Sequence, residues 1–250
     1  MQTLRLAATA FRANLLFLLL VPALNIGLET FGLGGGAAGA KLVLSALILF
    51  MLHRTILLGS PSGAVSPVDP VLPDTDYPAQ PKLKFWLLMA GISLMGIFLI
   101  LGSYTVIQPL AARQNLGPDG HIGLALLAAL IPYWIFLALF GTAVPAAVID
   151  HKAGLGPALK RARVSFFRLL FGLFMGPGLI WVLLLVLGAL LKTVGVYSYD
   201  WIHLSDFTAM GLVIEFLLFG FGQGFALAVT AAVLSRAYLR GLHQAENAAP

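Results

Sequence analysis

Two carboxylates stand inside apolar stretches of this sequence, where an ionisable group could carry a proton or a cation. Glu215 lies within GLVIEFLLFGFGQGF, and Glu29 lies near the end of an earlier apolar run. A carboxylate in an apolar helix is costly unless it faces a partner, a cavity or the protein interior. Two interpretations therefore stay open: a functional proton or cation site, and a protonated or hydrogen-bonded packing group.

The loop VGVYSYDWIHLSD holds residues with the character of metal ligands. It contains Asp200, His203 and Asp206, and Asp119 and His121 are expected on the same side of the protein. Such groups bind zinc or calcium when they converge. Asp206 is also well placed to cap the helix that follows, because a carboxylate accepts hydrogen bonds from the first backbone N–H groups. We predict interfacial polar residues and a cap here, with no metal and no cofactor.

Motifs for catalysis or nucleotide binding do not stand out in the sequence. GGGAAG at residues 34–39 matches G-x-G-x-x-G, but an apolar helix precedes it and no acidic residue lies between Lys41 and Val68. The dinucleotide motif needs a strand before it and an acidic residue about 20 positions later. The chain has no cysteine, and its other polar residues form no triad, paired-acid or P-loop pattern. The sequence therefore predicts a non-enzymatic protein.

A basic stretch, DHKAGLGPALKRARVSFFRLLFG at residues 150–172, separates two long apolar runs. Gly156 and Pro157 favour a helix start, and apolar residues then recur at helical spacing with the bases on the other arc. This pattern predicts an amphipathic helix at a membrane surface that binds anionic headgroups. The helix then serves as a topology anchor, and a specific site for an anionic lipid or a partner is the alternative. The predicted headgroup-binding residues are Lys152, Lys160, Arg161, Arg163 and Arg168.

The elements that must position these residues are membrane helices. The chain is 60% hydrophobic and 10% charged, whereas soluble domains carry about 25% charged residues. Residues 85–112, 122–149 and 169–191 contain no charged residue or histidine, and about 20 apolar residues span a bilayer. We predict one all-α membrane domain over residues 1–250, with six transmembrane helices at residues 13–32, 41–59, 85–108, 122–148, 166–191 and 207–238.

The distribution of charge predicts an orientation. With the N-terminus in the cytoplasm, Lys41, Arg113 and Lys192 lie outside, and the other twelve of the fifteen lysines and arginines lie inside. The positive-inside rule then places both termini in the cytoplasm. This bias also explains the net charge of +5 without a nucleic-acid partner.

Residues 60–83 are rich in proline and should form an extended cytoplasmic loop. The second span is the weakest of the six, because His53 and Arg54 lie inside it.

Two glycine pairs have the GxxxG spacing that lets membrane helices approach closely. Gly172 and Gly176 lie in the predicted fifth span, and Gly220 and Gly224 lie in the sixth. We expect these glycines to pack helices of the same chain against one another. A self-association face is the alternative.

The segment AVPAAVIDHKAGLGPALKRARVSFFRLLFGLF resembles a segment of the YciC-like family of bacterial inner-membrane proteins. The family is similar to the membrane domain attached to some glycerophosphoryl diester phosphodiesterases. The matching features are Pro145, Asp150, Gly154 or Gly156, and the bases from Lys160 to Arg168. The ends FRANLLFLLLVPAL and AAVLSRAYLRGLHQ also look like the termini of that family. The resemblance implies a six-span protein of the bacterial inner membrane and implies no catalytic residues.

These patterns favour one function and leave two others open. The leading hypothesis is a non-enzymatic inner-membrane protein that binds anionic lipid or a membrane partner. The first alternative is an accessory or scaffold subunit of a larger membrane complex. The second is a small-molecule or proton-coupled transporter that uses Glu215.

Overall fold

The described part of the protein is helical throughout. The computed structural model describes residues 2–30, 34–59, 81–114, 118–149, 153–193, 216 and 220–247, and none of these residues lies in a strand. The helices are α1 (Gln2–Ala13), α2 (Leu15–Thr30), α3 (Gly34–Leu58), α4 (Leu83–Arg113), α5 (Pro118–Phe140), α6 (Ala143–Val148), α7 (Leu155–Leu173), a π-helical turn (Phe174–Gly178), α8 (Leu179–Thr193) and α9 (Gly222–Asn247).

Four described helical segments are long and apolar enough to cross a membrane, and they indicate a multi-pass membrane protein. They are Leu83–Arg113, Gly123–Phe140, Leu155–Leu191 and Gly222–Leu242. The described apolar part of the predicted second span, Val43–Leu58, is shorter, and α2 has 16 residues. The first part of the predicted sixth span lies outside the described residues. The count of six spans and their orientation therefore stay predictions.

Residues 155–172 of the basic stretch and the predicted fifth span form one continuous helical segment. It begins at Leu155, next to the predicted start, and runs as α7 into the π-helical turn and α8. Pro177 lies in the π-helical turn. A proline lacks the N–H of a regular helix turn, and a π-turn is one way for a helix to absorb that loss.

Helices α7 and α9 run in opposite directions and pack closely. A Cβ atom on Gly172 would lie 3.2 Å from Val233 Cγ1, and one on Gly176 would lie 2.9 Å from Val229 Cγ1. From Gly172 in α7 to Gly176 in the π-helical turn the chain advances, while the contacts on α9 go back from Val233 to Val229. The two glycines bring the helix backbones together, as small residues do in membrane helix pairs.

Further contacts bring several helix ends together at one end of the bundle. Thr3, at the start of α1, accepts a hydrogen bond from Arg236 in the second half of α9. The rings of Phe50 in α3 and Phe85 at the start of α4 lie 5.3 Å apart. Near the start of α7, Arg161 lies over the ring of Tyr238. We call this end, where α1, α4 and α7 begin and α3 and α9 finish, the basic end.

Buried polar residues tie α3 to its neighbours. His53 Nδ1 lies 2.8 Å from Ser235 Oγ of α9, and Asn14 Nδ2 donates to Thr55 Oγ1 at 2.9 Å. All four side chains are buried. Interhelical hydrogen bonds of this kind help membrane helices associate where lipid weakens the hydrophobic driving force. His53, the residue that weakens the second span in sequence terms, thus faces the protein interior.

Candidate functional site

The exposed face of α7 presents two of the predicted basic residues. Lys160 and Arg163 are exposed, and Phe167, one turn after Arg163, is 82% exposed. Phe171 continues the same face at 64% exposure. We call Lys160, Arg163 and Phe167 the α7 face. It combines positive charge with an exposed aromatic ring, which is the composition of helices that lie at a membrane interface.

Arg161, another of the predicted headgroup-binding residues, turns its side chain towards the protein. Its Nε donates to Thr142 Oγ1 at 3.3 Å and its Nη2 to the Thr142 carbonyl oxygen at 3.2 Å. Its guanidinium carbon lies 5.1 Å from the Tyr238 ring centroid. The physical reason is helical spacing: Arg161 follows the buried Ala158 by three positions, so both share the face that packs against α9. Arg161 therefore joins helices.

We expect Arg161→Gln to lower the free energy of unfolding by about 2 kcal/mol, because a partly desolvated cation–π contact and charged hydrogen bonds are lost. Lys160→Gln is the matched control, since its side chain is exposed and should leave stability nearly unchanged. Unfolding of both variants by SDS in mixed micelles, followed by far-UV circular dichroism, measures the difference. Equal stability of the two variants would contradict a packing role for Arg161.

A second basic constellation lies between α1, α7 and α9 at the basic end. Arg168 from α7 and Arg236 and Arg240 from α9 line an open cleft of about 230 Å³, together with Thr3 and Ser165. Leu169, Phe171, Gly172, Val233 and Ala237 supply its apolar wall. We call this cleft the arginine groove. Among the predicted headgroup-binding residues that the structure describes, Arg168 is the one that lies in it.

Hydrogen bonds hold part of the arginine groove in place before any ligand arrives. Arg236 Nη1 donates to Thr3 Oγ1, and Arg236 Nη2 donates to Gln2 Oε1 at 3.0 Å. Ser165 Oγ donates to the Arg161 carbonyl oxygen at 3.0 Å, so its hydroxyl hydrogen is already used. Arg240 interacts electrostatically with both Arg236 and Arg168. The groove therefore holds three positive charges that affect one another.

Glycines also shape the helix contacts around this site. Gly172 and Gly176 pack against α9, and a Cβ atom on Gly224 would lie 3.5 Å from Phe11 Cε2 and 3.4 Å from Leu18 Cδ2. Gly220 is partly buried. Gly222 lies between the two glycines of the predicted pair and packs more tightly than Gly224. A Cβ atom on Gly222 would lie 2.6 Å from Leu184 Cδ2. These contacts are within one chain.

Several residues singled out in the sequence lie outside the described part of the structure. They are Asp150, Lys152, Glu215 and the loop residues Asp200, His203 and Asp206, and the side chains of Glu29, Lys41, Asp119 and Lys192 are likewise outside it. The proline-rich loop is described only at its end. Among the described residues, no group of three or more histidine, aspartate or glutamate side chains could hold a metal ion.

Sequence reasoning missed Arg236 and Arg240 as site residues. The signal was present in SRAYLRG, because arginines four positions apart share one face of a helix. Convergence with Arg168 could not be inferred, since it depends on which helix packs against α9.

Comparisons with protein-family models, with curated proteins and with solved structures find no match for this chain.

Proposed function

We propose that this chain is a non-enzymatic, multi-pass protein of the bacterial inner membrane that binds anionic lipid at its cytoplasmic face. The resemblance of residues 143–174 to YciC-like proteins favours that membrane. The four apolar helical segments supply the membrane anchorage. The other two hypotheses, an accessory subunit and a transporter acting through Glu215, stay predictions because no described contact favours them.

The clustering of charge supports a cytoplasmic location for the basic end. Of the twelve lysine and arginine side chains that the structure describes, ten belong to the helix portions that meet there, whereas Arg12 lies at the far end of α1 and Arg113 at the far end of α4. Cytoplasmic ends of membrane helices carry the excess of lysine and arginine, and the cytoplasmic leaflet carries anionic lipid. The ten are Arg5, Arg54, Lys82, Lys84, Lys160, Arg161, Arg163, Arg168, Arg236 and Arg240.

The α7 face is the observation on which the proposal depends most. Its two exposed bases precede an exposed phenylalanine on a helix that continues into an apolar segment. Phe167 can lie among acyl chains while Lys160 and Arg163 reach the headgroups, because long basic side chains extend towards the interface. Each base near an anionic surface contributes about 1 kcal/mol of binding free energy.

We expect the double variant K160Q/R163Q to bind anionic lipid about thirtyfold more weakly than the wild type, because about 2 kcal/mol of attraction is lost. Protein in a neutral detergent is titrated with phosphatidylglycerol, and bound lipid is counted by native mass spectrometry. The control variant K82Q/K84Q removes the same charge at the same end of the bundle but leaves α7 intact. Its loss measures the contribution of net charge alone, and a particular role of the α7 face predicts a larger loss in K160Q/R163Q.

Two results would count against this function. If the wild-type protein binds phosphatidylcholine as tightly as phosphatidylglycerol, it has no preference for anionic lipid. An equal loss in K160Q/R163Q and K82Q/K84Q would reduce the effect to net charge, and α7 would have no particular role.

A further inference from the structure

We infer that the arginine groove binds the phosphomonoester group of an anionic lipid, with Arg168, Arg236 and Arg240 surrounding the phosphate. This inference rests on the proposed function and narrows it, from attraction of any anionic headgroup to recognition of one headgroup chemistry. The groove borders the α7 face, since Phe171 adjoins both, but Lys160, Arg163 and Phe167 do not line it.

The charge of the arginine groove favours a dianion. Three guanidinium groups share one cleft, and Arg240 interacts with the charges of both Arg236 and Arg168. None of the side chains that the structure describes is acidic. A phosphomonoester carries about −1.5 to −2 charges at pH 7 and three terminal oxygens, whereas a phosphodiester carries one charge and two such oxygens. The monoester offers one oxygen to each arginine and offsets more of their repulsion.

The donors suit phosphate in their geometry as well as their charge. Each guanidinium is a planar fork of N–H groups that matches phosphate oxygens in pairs. The hydrogen bonds to Thr3 and Gln2 use part of the five N–H donors of Arg236, and they fix its position against α1. Thr3 accepts one of these bonds, so its own hydroxyl hydrogen remains able to donate to a phosphate oxygen. The groove is thus partly preorganised by the N-terminal helix.

The walls of the groove favour a lipid over a soluble phosphate. Leu169, Val233 and Phe171 line the cleft beside the arginines, and Phe171 is 64% exposed. Phe174 and Met175, one turn further along the helical segment, are also exposed. A ligand whose phosphate contacts Arg168 can therefore lay an apolar tail along this side of the helix towards the membrane-spanning part. A soluble phosphate gains nothing from that surface.

The test compares four probes on the full-length protein in neutral detergent: phosphatidic acid, phosphatidylglycerol, glycerol 3-phosphate and inorganic phosphate. Bound lipid is counted by native mass spectrometry, and the soluble anions are added as competitors. We expect phosphatidic acid to bind about tenfold more tightly than phosphatidylglycerol at pH 8. The preference should shrink at pH 5, since a phosphomonoester takes up a proton at about pH 6 and then carries less negative charge.

The variant Arg240→Gln should reduce phosphatidic acid binding to the level of phosphatidylglycerol. Arg240→Lys keeps the charge but loses the fork, and it should lose most of the preference with little change in phosphatidylglycerol binding. Arg163→Gln is the matched control, an exposed arginine outside the groove, and should weaken both lipids equally. Thermal unfolding of each variant checks that the bundle is intact, and Arg240→Lys serves if Arg240→Gln does not fold.

Defined outcomes overturn the inference. The phosphomonoester site would be wrong if the wild type bound phosphatidic acid and phosphatidylglycerol equally. It would also be wrong if Arg240→Lys kept the preference for phosphatidic acid unchanged. If inorganic phosphate or glycerol 3-phosphate competed at the concentrations at which the lipid binds, the ligand of the groove would be a soluble phosphate and not a lipid. The proposed function fails separately, when neither anionic lipid binds better than phosphatidylcholine.

Discussion

Replacing Gly178 with valine should destabilise the folded protein by about 3 kcal/mol, the upper part of the usual range for overpacking. A Cβ atom at Gly178 would lie 2.6 Å from Trp134 Cζ2 and 3.0 Å from the Leu173 carbonyl oxygen. Trp134 cannot easily move, since it is 4% exposed and its ring lies 5.0 Å from that of Phe174. SDS unfolding of the purified variant in mixed micelles gives the free energy.

Gly91→Val is the matched control, because a Cβ at Gly91 has no neighbour within 4 Å. Both glycines lie in apolar helical segments, so the two substitutions make the same chemical change in different surroundings. The control should shift the free energy of unfolding by about 0.5 kcal/mol or less. If Gly178→Val were as stable as Gly91→Val, the close packing of α5 against the π-helical turn would be wrong.

Replacing Phe85 with alanine should cost about 3 kcal/mol, the low end of the range for a buried phenylalanine. Phe85 is 0% exposed, and its ring lies 5.3 Å from Phe50 and 5.8 Å from Trp86. The loss comes from the cavity and the broken ring contacts, because lipid is itself apolar and the transfer of the side chain contributes less than in water.

Phe98→Ala provides the comparison, since Phe98 lies in the same helix and is 67% exposed. Its ring is free to contact lipid in both states, so its removal should leave the unfolding midpoint nearly unchanged. The same SDS titration serves for both variants. A Phe98→Ala protein that loses as much stability as Phe85→Ala would mean that α4 packs through the opposite face.

Membrane class and the α7 helix could be predicted from local patterns, and the orientation of Arg161 could not. Apolar length and helical spacing are properties of neighbouring residues, so they indicate α4, α5 and the continuous α7–α8 segment directly. Arg161 and Lys160 look alike at this level. Which of the two side chains faces the protein depends on the position of α9 in the bundle. Arg161 faces inwards because it contacts Thr142 and Tyr238.

His53 shows the same limit in the other direction. In the sequence it interrupts an apolar run and weakens the predicted second span. In the structure its ring meets Ser235, a residue 182 positions away, so a polar residue becomes part of a helix–helix contact. A buried polar group is tolerated where a partner is supplied, and that partner belongs to a helix distant in the chain.

The sequence by itself determined the all-helical membrane class, the long apolar helices and the excess of basic residues, because these depend on composition and on spacing within single helices. Only the tertiary structure decided that Arg168 meets Arg236 and Arg240. Helices α7 and α9 are joined through Gly172 and Val233, and this antiparallel contact sets which turns face each other. Helix pairing depends on side-chain shapes along both surfaces at once, which no single stretch of sequence contains.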